Sequence, residues 1–317
     1  MLPKNSHVHP ELQIKLPRVA FTARNLRLMR LLIRAQRPAR LPDDVRVENI
    51  VIPGAAEQAR LRLRVYRPRS AAAPAPVLMW LHGGGFIMGR PEIDDALCGE
   101  YAHTLGLVVV SVDYRYAPEH PFPAALNDGY AAWQWLAAQA AHLNIDVRRM
   151  AIGGQSAGGG LAAALVQLTH DRAEIKPAFQ LLIYPMLDDR TVERTDIDAA
   201  GHFMWNQASN RLGWESYLRQ TCGAPTAPAY AVPARRADLS GLPPAWIGVG
   251  TLDLFHDEDV AYARRLTEAG VACEVLVVPG AYHGFDVVAP RTTVVGDFRR
   301  AQRAALKHYL QTGTYSG

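Results

Sequence analysis

The stretch Gly153-Gly154-Gln155-Ser156-Ala157-Gly158-Gly159-Gly160 constrains the fold of this chain more than any other feature. It follows a short apolar run at 150–152 and leads into Leu161, Leu165 and Leu168, which share one face of a helix. A serine caught between a buried strand and a helix must sit in a sharp turn. Side chains two positions away would collide there, and glycine at 154 and 158 relieves the crowding. G-x-S-x-G between strand and helix is the pattern of a nucleophile elbow. The turn also sets Ser156 at a helix N-terminus, where the backbone dipole favours developing negative charge. A glycine-rich phosphate loop is the competing reading, but no lysine stands where such a loop requires one.

An elbow of this kind presupposes a parallel sheet, and the rest of the sequence supplies one. Short apolar runs at 77–81, 107–112, 150–152, 179–183, 246–249 and 273–278 read as strands buried on both faces. Residues 45–67 read as two period-two strands around Pro53 and Gly54, with Leu61, Leu63 and Val65 alternating with arginines. Between the runs lie helical patterns, among them Leu126, Tyr130, Trp133 and Ala137. Another runs from Asp257 to Gly270, acidic at its start, basic near its end and closed by glycine. The expected fold is α/β: a mostly parallel eight-stranded sheet with helices on both faces.

At 317 residues the chain predicts one large body carrying a cap. Residues 1–45 precede the first strand and look helical. Residues 186–230 follow a strand, are polar, and hold Phe203, Trp205, Trp214 and Tyr217. A connection so long is functional or carries its own helices. These two segments are the candidate helical cap, and 46–185 with 231–317 the catalytic body.

The net charge of +4 is concentrated at the start, where Glu11 is the one acid among the first forty residues. Arg24, Arg27, Arg30, Arg34 and Arg37 interleave with Leu28, Leu31, Leu32 and Ile33 at helical spacing. The plain expectation is a cap helix that lays its leucines on the body and its arginines in water; a membrane surface or acidic partner is the alternative. No nucleic-acid module is visible. No run reaches the roughly 20 apolar residues of a membrane span, so no integral membrane association is expected. The first residues lack an apolar core and a small-residue cleavage site, and Cys98, Cys222 and Cys273 are far apart and odd in number. Free thiols in the cytoplasm follow.

His82-Gly83-Gly84-Gly85-Phe86 follows the run at 77–81. Acyl transfer passes through a tetrahedral oxyanion that needs preorganised N–H donors, and glycines let the backbone come close to that oxygen. The donors expected are the N–H groups of Gly83, Gly84 and Ala157. His82 is expected to fix the loop rather than act as base. His283 is the histidine in a loop after the last strand, where sites of such sheets gather, and is the candidate base. His256 lies before a helix and is set aside. Asp253, directly after the run at 246–249 and ahead of His283, is the candidate acid. Asp257, Glu258 and Asp259 read as first-turn helix charges. No metal or cofactor is called for.

These residues carry a resemblance. HGGGF at 82–86, DYRYAPEHPFPAAL at 113–126, GQSAGGG at 154–160, the acid segment LDLFHDED and the HGF around His283 are similar to those of hormone-sensitive-lipase-like α/β-hydrolases, the bacterial type IV esterases. The resemblance spans residues 46 to about 310. It implies an α/β-hydrolase fold with a cap built from the N-terminus and an insertion after the sixth strand, and a carboxylesterase of mostly short acyl chains. Two positions depart from the pattern: Gln155 stands where Asp or Glu is usual, and Tyr116 where leucine is usual. Asp113 and Glu119 are expected to be scaffold groups.

The expected substrate is a small, short-acyl or aryl carboxylic ester. An amide or carbamate hydrolase with the same triad is the alternative, and a ligand-binding protein without catalysis a remoter one. Phe86, Met88, Tyr184, Phe203 and Trp205 are candidates to wall the substrate pocket, with ordinary core packing as the plain alternative. The run at 273–278, near the sheet edge, is a candidate homodimer contact.

Overall fold

The computed structural model describes residues 7–14, 20–55, 60–69, 71–172, 175–197 and 202–311. An eight-stranded sheet runs in the order β1-β2-β4-β3-β5-β6-β7-β8. β1 (Val45–Pro53) and β2 (Arg60–Pro68) form the expected antiparallel pair. Residues 56–59 of their connection lie outside the described residues. β2 is antiparallel to β4 (Val108–Val112). From β4 onward all neighbours are parallel: β3 (Ala75–Leu81), β5 (Ile145–Gln155), β6 (Phe179–Ile183), β7 (Ala245–Gly250) and β8 (Cys273–Val278).

The helices are α1 (Leu26–Ala35), α2 (Asp95–Leu105), α3 (Ala124–Ala138), α4 (Ala140–Leu143), α5 (Ala157–Arg172), α6 (Gln207–Leu218), α7 (His256–Glu268), α8 (Phe285–Val288) and α9 (Thr293–Gln311). The two sheet faces bury separate cores. Val77, Met79 and Leu81 point to one face and meet Trp133 of α3, Leu161 of α5 and Leu266 of α7. Leu78 and Trp80, the alternate residues of the same strand, point to the other face with Tyr101 of α2 and Phe298 of α9. A strand buried on both faces has no solvent side for polar residues, which is why these runs read as continuously apolar.

The order reverses at β3: the chain steps from β3 outward to β4, then crosses back to β5 on the other side. Connections leaving such neighbours in opposite directions open a crevice at their carboxyl ends. The 82–86 loop leaves β3 there and the Ser156 turn leaves β5.

α1 is a helix as expected, with Arg24, Arg27, Arg34 and Arg37 exposed as expected, but its leucines do not lie on the body. Leu28, Leu31 and Leu32 are 57, 63 and 51% exposed, while Arg30 faces inward. Arg30 donates to the carbonyls of Ile87 and Ala117, forks onto Glu119 at 2.7 and 2.9 Å and lies over the Tyr116 ring. A planar guanidinium satisfies two carbonyls and a carboxylate at once, which no leucine can do. Leu26 and Ile33 supply the apolar contact beside it. Glu119 is thus a scaffold ion pair, as is Asp113 with Arg62 at 2.9 Å.

The first turn of α7 holds a second correction. Asp257 is exposed and paired with Arg194, as a helix-start charge should be. Glu258 and Asp259 are buried instead. Glu258 accepts from the backbone N–H groups of Leu187 and Asp188 and from the Thr191 hydroxyl. The dipole rule ignores what packs over the helix start; here the chain after β6 does, and its unpaired N–H groups need an acceptor.

Candidate active site

β5 ends at Gln155 and α5 begins at Ala157, so Ser156 alone makes the turn, with φ of 55°. Its strained backbone is held on both sides: its N–H donates to Ile183 O and its carbonyl accepts from Gly160 and Met186. A Cβ on Gly154 would lie 2.3 Å from Gly158 O, and one on Gly158 would lie 2.0 Å from Leu81 O. The elbow is therefore pressed against the end of β3.

His283 reaches the elbow from the loop after β8. Its Nε2 lies 2.9 Å from Ser156 Oγ and its Nδ1 2.8 Å from Asp253 Oδ2. A carboxylate only accepts, which puts the proton on Nδ1 and leaves Nε2 to accept from the serine hydroxyl. Asp253 Oδ1 accepts from Phe255 N at 2.9 Å, fixing the carboxylate from behind. The rings of Phe255 and Tyr184 stand edge-on to the imidazole at 5.1 and 4.7 Å. The structure thus brings together the serine, histidine and aspartate selected from sequence. His256 turns away, to Asp257 at 2.7 Å.

Gly83 lies against the elbow: a Cβ there would be 3.5 Å from Ser156 Cβ. Gly84 has φ of 129°, and its Cβ would meet Met88 O at 2.0 Å. Among the described residues the N–H groups of Gly83 and Gly84 donate to no other group. His82 is fully buried and stacked on Tyr114 at 4.2 Å; its Nδ1 meets Gly83 O at 2.8 Å, and Tyr114 donates to its carbonyl. Burial pushes its imidazole below the ordinary value, so it stays neutral and braces the loop.

The pocket-wall candidates fare less evenly. Tyr184 is a correction: it stands behind His283, and its hydroxyl donates to Asp286 Oδ1 at 2.7 Å, with Gln155 Oε1 3.3 Å away. Phe86 is buried in a stack on Tyr217 at 4.2 Å, and Met88 is buried beside it in the same core. Trp205 is buried too, so close to the loop that a Cβ on Gly85 would lie 2.0 Å from its ring. Phe203 keeps a part-exposed ring, edge-on to Tyr282. A polar cleft of about 160 Å³ opens on the acid side, lined by Arg194, His202, Asp253 and His256 among others. A larger hollow, near Asp171, Tyr230 and Arg236, is lined by none of the triad or loop residues.

Sequence reasoning missed what lies under the elbow. Gln155 Nε2 donates to Asp94 Oδ1 at 2.6 Å, and Trp80 Nε1 donates to Asp94 Oδ2 at 2.7 Å. With Tyr184 and Asp286 they form a buried chain, Trp80–Asp94–Gln155–Tyr184–Asp286. Burial pushes the Asp94 carboxyl up to about 7 and raises that of Asp286. Asp286, three residues after His283, and the unexplained glutamine at 155 were the signals available. Among the described residues, no group of three or more His, Cys, Asp or Glu is placed to hold a metal ion.

The crevice, the elbow and the two loops define the α/β-hydrolase class, and the alpha/beta hydrolase fold family matches residues 78–287. The chain belongs to that family, in its hormone-sensitive-lipase-like branch. It is 35% identical over 245 residues to the esterase LipI of Mycobacterium tuberculosis, covering 76% of this chain and 75% of that one. It is 37% identical over 228 residues to an ethyl acetate hydrolase of Pseudomonas putida, covering 71% of each. A solved structure, a bacterial heroin esterase, superposes with a TM-score of 0.89 at 37% identity over 97% of this chain and 99% of that chain.

Proposed function

We infer that the chain is a serine carboxylesterase of small, short-acyl or aryl esters. The observation that carries this is the line Asp253–His283–Ser156, with contacts of 2.8 and 2.9 Å at a serine held in a strained turn. As Ser156 Oγ attacks the ester carbonyl carbon, its proton passes to His283 Nε2 and the carbonyl electron pair moves onto oxygen. The N–H groups of Gly83, Gly84 and Ala157 hold that oxyanion, each worth about 3 kcal/mol in the transition state. Collapse expels the alcohol, which leaves with the proton from His283. Water then adds to the acyl-enzyme by the same route and releases the acid. Asp253 keeps the imidazole in the tautomer this requires. Relatives named as an ethyl acetate hydrolase and an arylesterase support the substrate class.

Residues 1–45 and 186–230 act as the cap over this site. In support, Phe21 N donates to Ser209 Oγ at 2.9 Å, its ring meets Trp205 at 5.6 Å, and Trp205 rests on Gly85. Phe203, with its part-exposed ring, is then the cap aromatic open to an entering substrate. Among the described residues no helix is long and apolar enough to cross a membrane. Cytoplasmic residence is supported by unpaired Cys98, Cys222 and Cys273. The edge strand β8, with Val275 exposed, supports a homodimer contact. Steady-state hydrolysis of a matched aryl ester and aryl amide tests the reading. The ester is expected to be the far better substrate, and a faster amide would overturn it.

A further inference from the structure

α1 presents two apolar faces, and only one is used. Leu26 and Ile33 pack inward beside Arg30. Leu28, Leu31 and Leu32, at helical spacings of three and four, form a second stripe that stays 57, 63 and 51% exposed. Large aliphatics clustered in water in this way mark an interaction surface. Arg24, Arg27, Arg34 and Arg37 are exposed around the stripe, and no acid occurs from residue 12 to residue 42. Arg24, Arg27 and Arg37 have no carboxylate partner among the described residues, whereas inward Arg30 is fully engaged.

The occupant must therefore accept leucines and carry negative charge. A second copy docked face to face would press arginine on arginine with no acid between. An anionic bilayer offers both requirements in one plane, acyl chains at the depth of the leucines and phosphates at the depth of the guanidinium groups. We propose that α1 docks this enzyme peripherally on anionic lipid surfaces, its leucine stripe entering the headgroup boundary and its arginines pairing lipid phosphates. Such docking would hold the cap, of which α1 is part, against a surface where apolar esters concentrate. The proposal stands independently of the ester chemistry.

Flotation of the whole chain with phosphatidylglycerol-containing vesicles tests it, against pure phosphatidylcholine vesicles and soluble polyglutamate. Binding is expected for the anionic vesicles, weakening as salt rises towards 1 M, where screening acts over about 3 Å. Arg24→Gln with Arg27→Gln should lower partitioning roughly 25-fold, about fivefold per arginine. Leu28→Ser with Leu31→Ser should lower it about 100-fold, near tenfold per leucine. Both pairs are solvent-facing, so hydrolysis of a soluble ester should be unchanged and reports an intact fold. The proposal is overturned if the parent does not float, if it floats equally with zwitterionic vesicles, or if the leucine variant floats as well as the parent. Polyglutamate binding that matches vesicle binding and survives the leucine changes would point to an acidic protein and overturn it too. So would a dimer, seen by sedimentation, that the leucine changes dissolve.

Discussion

Ser156 stands between two sets of aspartates that share a chemistry and differ in what they touch. Above it, Asp253 accepts from His283 and from Phe255 N–H, opposite a ring that becomes a cation during turnover. Below it, Asp94 and Asp286 are buried and joined through Gln155 and Tyr184, whose hydrogen bonds carry no full charge. A neutral amide does not offset the desolvation of a carboxylate, so the Asp94 carboxyl rises to about 7. The same residue type thus faces a ring that becomes a cation on one side and sits in a buried brace of neutral partners on the other. Residue identity did not decide this; the charge of the partner did.

Removing the upper anion should have the largest effect. Asp253→Asn keeps the shape but loses the tautomer control, and kcat for a short ester should fall roughly ten-thousandfold. Next comes the oxyanion loop: Gly84→Ala adds a Cβ 2.0 Å from Met88 O at a φ of 129°, which tilts that loop. A loss of about 100- to 1000-fold in kcat is expected, with a far smaller change in KM. The lower side should respond chiefly in stability. Tyr184→Phe strands Asp286 and costs about 1–3 kcal/mol in chemical denaturation, with kcat changed much less than by Asp253→Asn. Equal kinetic losses for the two variants would erase the distinction between the sides.

The smallest effect concerns pH. The folded Asp94 carboxyl titrates near 7 and its ordinary value is 3.8, so between these the folded chain holds a proton that the unfolded chain has shed. Its contribution to stability is therefore fully present at low pH and declines as pH rises from about 4 to about 7. Asp94→Asn removes that titration. The thermal midpoint of the parent relative to the variant should be higher at pH 5 than at pH 8, and a constant difference would contradict the assignment.

Much of the upper side was legible in the sequence because chain-local motifs encode it. Ser156 is written by its glycines, Asp253 and His283 by following strands, and Gly83 and Gly84 by their run after β3. The sheet was legible for a similar reason, since strands buried on both faces leave unbroken apolar runs. The underside was not, because Trp80, Asp94, Gln155, Tyr184 and Asp286 come from five separate segments with no shared spacing. Only the glutamine hinted at it. α1 was legible as a helix but not in its orientation. Arg30 was drawn inward, and the leucines left in water beside the other arginines, by the carbonyls of Ile87 and Ala117 and by Glu119, far along the chain. Glu258 was misread for the same reason: its partners sit about seventy residues away in the chain after β6.

The nucleophilic role of Ser156 is tested most directly by trapping it. An aryl phosphonate should inactivate the enzyme in a time-dependent way, with mass spectrometry finding one adduct, on the peptide that contains Ser156. Ser156→Ala should take no label and hydrolyse no short ester above background. A label on another residue, or a Ser156→Ala variant that keeps its ester hydrolysis, would contradict the account.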